Sequence, residues 1–201
     1  MLFTEEQYNK IYEKTYKWLA NHSVGSRAYI NNLKNYQKEL WGPILEVINE
    51  LSNKPNLNNI EKEFLELVSY TGPIYRIQHY NPKNRGFVFE HSNFQSWSRS
   101  LQGVSNISLY GDVVLLVGHA INGINLFGLL IFMFEHNFIT NIPPCKEAMG
   151  LNKYEKEEEV VFSLEFNHLT DVAVVSKDKL LDWENHKKVI PKEKWRRNSI
   201  N

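Results

Sequence analysis

The hydrophobic periodicity of this chain changes at Thr71-Gly72-Pro73. Ahead of that point apolar residues recur at the spacing of one helix face. Beyond it they alternate, or gather in short runs bounded by turn residues, as strands do. Helices first and strands afterwards predict an α+β fold, not a series of βαβ units. The 201 residues suit a single domain: a helical segment over 1–70, a β-rich core over 71–180 and a polar tail over 181–201.

The helical part has clear punctuation. Thr4 and Gln7 have the spacing of a capping box, and Tyr8, Ile11, Tyr12, Thr15 and Leu19 then follow at helical spacing. A second helix is predicted from about Ser26, with Tyr29, Ile30, Leu33, Tyr36, Leu40 and Trp41 as its apolar stripe. Gly42-Pro43 is expected to end it, with Ile44, Leu45, Val47, Ile48 and Leu51 on a new helix. A further helix starts near Asn58, with Ile60, Phe64, Leu67 and Val68 on one face.

The strand part is predicted over 74–80, 87–89, 94–100, 113–121, 159–166 and 171–176, with an irregular loop over 140–157. The apolar stretch 113–134 is long enough to span a membrane. His119, Asn122 and Asn125 lie within it, and burying them in lipid is costly. A buried strand, a turn at Asn122-Gly123 and a short buried helix ending near His136 account for it better.

Composition narrows the function classes. A 42% hydrophobic and 13% aromatic content excludes a disordered chain. The 23 basic and 23 acidic residues cancel, so no global field recruits nucleic acid or an anionic membrane. The local basic cluster KWRR, 194–197, reads as a solvated tail. Cys145 is the only cysteine, so no internal disulfide forms and a reducing compartment is expected. The N-terminal MLFTEEQYNK is acidic and polar, unlike a signal peptide. The expected location is the cytoplasm, or a host cytoplasm after delivery. His79, His91, His119, His136 and His168 are scattered without metal-ligand spacing, so no metal is expected. No Gly-rich phosphate loop of the Walker or dinucleotide-binding type is present.

The chemistry concentrates in EKEEEVVFSLEF, 155–166. If a strand begins near Glu157, period-two alternation places Glu157 and Glu159 on one face, opposite a row of Val160, Phe162, Leu164 and Phe166. Two such carboxylates can divide labour, one stabilising a developing cation and the other activating a nucleophile. Glu155 with Glu157 is a rival register. Upstream, Arg76 sits in an otherwise apolar strand and needs an anionic partner, for which a diphosphate suits its planar guanidinium. Ser96 and Ser98 flank Trp97 on a strand and could orient a carboxylate and a ribose. Taken singly, each of these pieces is read first as an ordinary charged edge strand, ion pair or amphipathic strand.

Their order is more informative. YRI (75–77), FQSWS (94–98) and EEEVV (157–161) resemble the Arg, Ser-x-Ser and Glu-x-Glu motifs of mono-ADP-ribosyltransferases, including the clostridial binary-toxin enzymes and the phage Alt/Mod-type enzymes. VVLLVGHAINGINLFGLL is similar to the strand, turn and helix that separate those motifs in the family. The resemblance covers roughly residues 70 to 176. It implies two packed mixed sheets with a cleft for NAD as substrate. It also implies that Arg76 contacts the NAD phosphates or ribose, that Ser96 holds Glu159, and that Ser98 shapes the nicotinamide-ribose pocket. Glu159 would then stabilise the oxocarbenium-like transition state and Glu157 would activate the acceptor, expected to be arginine on a target protein in a host cell. Asn152, Lys153 and Tyr154 would face that protein. The family often has Gly where Ile77 stands, a position whose backbone meets the nicotinamide amide. Two other classes compete: a non-catalytic binding module such as an immunity or adaptor protein, and an unrelated hydrolase using Glu157 or Glu159 as an acid. Neither stable nucleic-acid binding nor a membrane is expected among the partners.

Overall fold

The computed structural model describes residues 2–20, 27–80, 88–90, 94–138, 155–194 and 196–198. The loop residues Asn152, Lys153 and Tyr154, and Cys145, lie outside the described residues. The chain forms two compact units, one of Met1–Tyr70 with Asn122–Glu155 and the other of Thr71–Ile121 with Lys156–Asn201.

The first unit is helical. Helix α1 (Glu5–Ala20) starts at the expected cap: Thr4 N donates to Gln7 Oε1 at 2.7 Å and Gln7 N to Thr4 Oγ1 at 3.2 Å. Tyr8, Ile11, Thr15 and Trp18 are buried on it, and Tyr12 is half-buried. Helix α2 (Arg27–Ser52) runs straight through Pro43, where two helices were expected. A proline inside a helix removes one hydrogen bond and costs about 3 kcal/mol. Leu40, Trp41, Ile44 and Ile48 lie on both sides of it and are wholly buried. At roughly 2 kcal/mol per buried side chain, one continuous apolar face outweighs the break. Helix α3 (Asn59–Val68) carries a full capping box between Asn58 and Glu61. It buries Phe64 and Val68, while Ile60 stays 49% exposed.

Helix α5 (Leu126–Glu135) packs on α3 in the same unit. Asn125 caps it, its Oδ1 accepting from Gly128 N at 3.2 Å, and Asn125 Nδ2 donates to Leu67 O at 3.0 Å. Phe64 and Phe132 meet edge to face at 5.1 Å. Strand β4 (Asp112–Asn125) continues through Asn122-Gly123, so the chain turns into α5 at Asn125 and not at the expected dipeptide. Asn122 does adopt a left-handed φ of 58°. The kink is there, but it does not end the strand.

The second unit holds most of a six-stranded sheet, ordered β1-β3-β5-β4-β6-β7. The strands are β1 (Ser69–His79), β3 (Gln95–Ser98), β5 (Glu159–Phe162), β6 (Asp171–Ser176) and β7 (Lys188–Val189), with β4 in the middle. β1 also pairs with β4, so the first four strands in that order close into a small barrel. A separate parallel pair joins β2 (Val88–Glu90) to β8 (Arg196–Asn198). This is an α+β architecture. The described residues form one principal six-stranded sheet and one short two-stranded pair, where two packed mixed sheets are expected.

One face of the sheet carries Ile77, Val113, Leu115, Ala173 and Val175, packed against Val104, Leu180 and Trp183. Val104 belongs to the short helix α4 (Leu101–Ser105). Leu180 lies in a 3-10 turn (Lys177–Asp182) and Trp183 opens helix α6 (Trp183–His186). The region expected to be a polar tail therefore supplies core: Trp183 and Ile190 are buried, and Ile190 N donates to Val172 O at 2.8 Å. Among the described residues no helix is long and apolar enough to cross a membrane.

Candidate functional site

The antiparallel pairing of β3 with β5 sets the geometry. Ser98 stands opposite Glu159, Trp97 opposite Val160, and Ser96 opposite Val161. On the other side of β3, Tyr75 of β1 stands opposite Ser98. Directly opposite residues point to the same face with Cβ atoms about 5 Å apart. Tyr75, Ser98 and Glu159 thus form one row across three strands, and Ser96 joins their face two residues along. Ser98 and Glu159 are only 3% and 2% exposed. Two polar side chains are buried side by side in a small hydrophobic sheet, where polar groups are held by hydrogen bonds or cost stability.

Arg76 falls in the next row, with Trp97 and Val160. Alternation turns that row to the opposite face. The neighbours agree. Tyr75 and Ile77 pack in the cluster with Val113 and Leu115, whereas Ile74 lies beside Gly118 and Leu164. Arg76 Nη1 donates to the backbone carbonyl of Ser96 at 3.0 Å. Of Arg76, Ser96, Ser98, Glu157 and Glu159, expected to line one cleft, the register places Ser96, Ser98 and Glu159 on one face of the sheet. Arg76 is on the other face. Ile77 shares the face of Glu159, but its buried side chain belongs to the core.

Glu157 does not share a strand with Glu159. Residues 155–157 form a helical turn, and Glu158 takes a left-handed φ of 50° before β5 begins at Glu159. A left-handed residue breaks period-two alternation, so the pairing of Glu157 and Glu159 by strand register does not occur. The rival pair Glu155 and Glu157 lies wholly on the helical turn. Glu157 is half-buried, and its carbonyl lies under α4: a Cβ built on Gly103 would meet it at 2.5 Å and Ser98 Oγ at 2.2 Å.

Several residues at this junction were not singled out in the sequence. Glu158 accepts from Ser100 Oγ through Oε2, and its Oε1 is 3.3 Å from Arg99 Nε. Arg99 N donates to Glu158 O at 3.1 Å. Ser100 Oγ also caps α4 by accepting from Gly103 N at 2.9 Å. Ser98 Oγ donates to Ser100 O at 2.9 Å, and Asn106 Nδ2 to Lys156 O at 2.8 Å. The one legible signal was Ser100 ahead of Leu101, a cap residue before a helix. At the far end of α4, Lys177 Nζ donates to Val104 O at 3.3 Å and Ser105 O at 2.6 Å, and burial lowers its pKa. Among the described residues no group of His, Cys, Asp and Glu is arranged to hold a metal ion.

Comparison of the chain with protein-family models, with curated proteins and with solved structures found no match.

Proposed function

We propose that this protein transfers ADP-ribose from NAD to an acceptor, with Glu159 as the essential carboxylate. One observation carries the reading: Ser98 and Glu159, taken from two separate motifs, stand directly opposite each other on neighbouring strands. The bond from ribose C1′ to the nicotinamide nitrogen breaks, and its electron pair leaves with nicotinamide. The Glu159 carboxylate stabilises the positive charge left on the ribose. A guanidine nitrogen of an acceptor arginine bonds to C1′, and its proton passes to Glu157. Glu159 is only 2% exposed, so contact with a sugar hydroxyl requires its cover to move. Arg76, on the other face, is not assigned to the same contact. The register also makes Ser98, not Ser96, the nearer partner of Glu159.

A second reading is a non-catalytic protein-binding module, as in an immunity or adaptor protein. Two observations favour it: the burial of Glu159 and the position of Arg76. Calorimetry with NAD, together with chromatographic detection of released nicotinamide, separates the two. Saturable binding and nicotinamide release support transfer. Neither binding nor release transfers the lead to the binding module.

A further inference from the structure

We infer that Glu158 is a positioning residue, whose carboxylate fixes the Ser98 hydroxyl through Ser100 and locks α4 over the Ser98–Glu159 pair. The inference rests on the transferase reading of that pair and adds a residue to it.

The connection is continuous. The Glu158 carboxylate accepts from the Ser100 hydroxyl, and the same hydroxyl accepts from Gly103 N. The cap of α4 and the acidic turn therefore share one oxygen. The Ser100 carbonyl in turn accepts from Ser98 Oγ at 2.9 Å, and Ser100 N donates back to Ser98 Oγ at 3.3 Å. The rotor of Ser98, opposite Glu159, is thereby held in one orientation. Arg99 holds the remaining carboxylate oxygen of Glu158 at 3.3 Å and its carbonyl, through the backbone, at 3.1 Å.

Two further features fit a built device. Glu158 is one of three non-glycine residues with positive φ among those described. Such a conformation persists only where surrounding contacts enforce it. Gly103 is packed so closely on Ser98 and Glu157 that no side chain fits there. Backbone thus meets backbone where the carboxylate turn enters the strand. A glutamate whose only task was solubility would need none of these partners.

Glu158→Gly separates side chain from backbone, because glycine adopts the left-handed conformation freely. Amide hydrogen exchange is measured on wild type, Glu158→Gly and Glu158→Gln, alongside steady-state kinetics with NAD. In Glu158→Gly the Ser100 and Gly103 amides are expected to exchange roughly tenfold faster, while those of β6 are unchanged. Turnover is expected to fall about tenfold with KM for NAD held within about twofold, as a misplaced group affects the transition state more than binding. Glu158→Gln, whose amide oxygen still accepts from Ser100, is expected to restore most of both. Unchanged exchange at Ser100 and Gly103 overturns the clamp. Faster exchange with undiminished turnover overturns the positioning role. Wild-type protein that consumes no NAD contradicts the transferase reading itself, and the exchange data still decide whether the clamp exists.

Discussion

Ser98 and Glu159 face each other across the β3–β5 ladder, both buried and both on the face that α4 covers. Ser96 lies two residues away, opposite Val161. The two serines are therefore not equivalent. If the pair is catalytic, Ser98→Ala lowers ADP-ribose transfer by about tenfold or more, and Ser96→Ala lowers it less. Kinetics of the two variants, with circular dichroism to confirm folding, check the order. A larger loss in Ser96→Ala contradicts the assignment.

The helical unit has a contact that admits no side chain. A Cβ on Gly128 would lie 1.8 Å from Leu67 O, a backbone atom that cannot step aside. Gly128→Ala is expected to destabilise the protein by about 1–3 kcal/mol, the range for overpacking. Chemical denaturation measures it. A change below about 0.5 kcal/mol would mean that α3 and α5 are not packed as described.

The start of α3 gives a pH-dependent test. Its Asn58 cap contributes about 1 kcal/mol, which Asn58→Ala removes. Glu61 Oε2 accepts from Asn58 N at 2.9 Å, and its Oε1 meets Lys54 Nζ at 2.7 Å. The hydrogen bond from Lys54, then that from Asn58, hold its carboxyl below the ordinary value. A depressed carboxyl contributes stability that is fully present above its unfolded pKa and is lost as pH falls through the folded one. Wild type should therefore exceed Glu61→Gln in melting temperature at neutral pH, and the gap should close as the solution is acidified through and below the ordinary carboxylate range. A gap that widens on acidification contradicts this.

Much of the fold was legible because local signals and burial agree. The capping boxes at Thr4 and Asn58 start helices where their side chains dictate, and β6 has the bounds that its apolar run sets. The differences arise where distant packing overrides a local breaker. Pro43 stays inside a helix because buried side chains flank it, and Asn122 kinks a strand without ending it. The end of the chain, 181–201, reads as polar because Trp183 and Ile190 are spaced among charges, yet both are buried. At the site, alternation placed Ser96 and Ser98 on one face from sequence alone. It failed for Glu157 because nothing in a run of glutamates marks the left-handed Glu158. It could not place Arg76, because the face that a strand turns toward its neighbours depends on register, and register is long-range.

Incubating purified protein with labelled NAD, once with agmatine and once with a bacterial lysate, beside Glu159→Gln, decides whether Glu159 carries ADP-ribose transfer. Label transfer is expected from wild type, with a loss of at least about a hundredfold in a folded Glu159→Gln, and transfer to agmatine if arginine is the acceptor. Equal transfer by both proteins, or none by wild type to either acceptor, would contradict that role of Glu159.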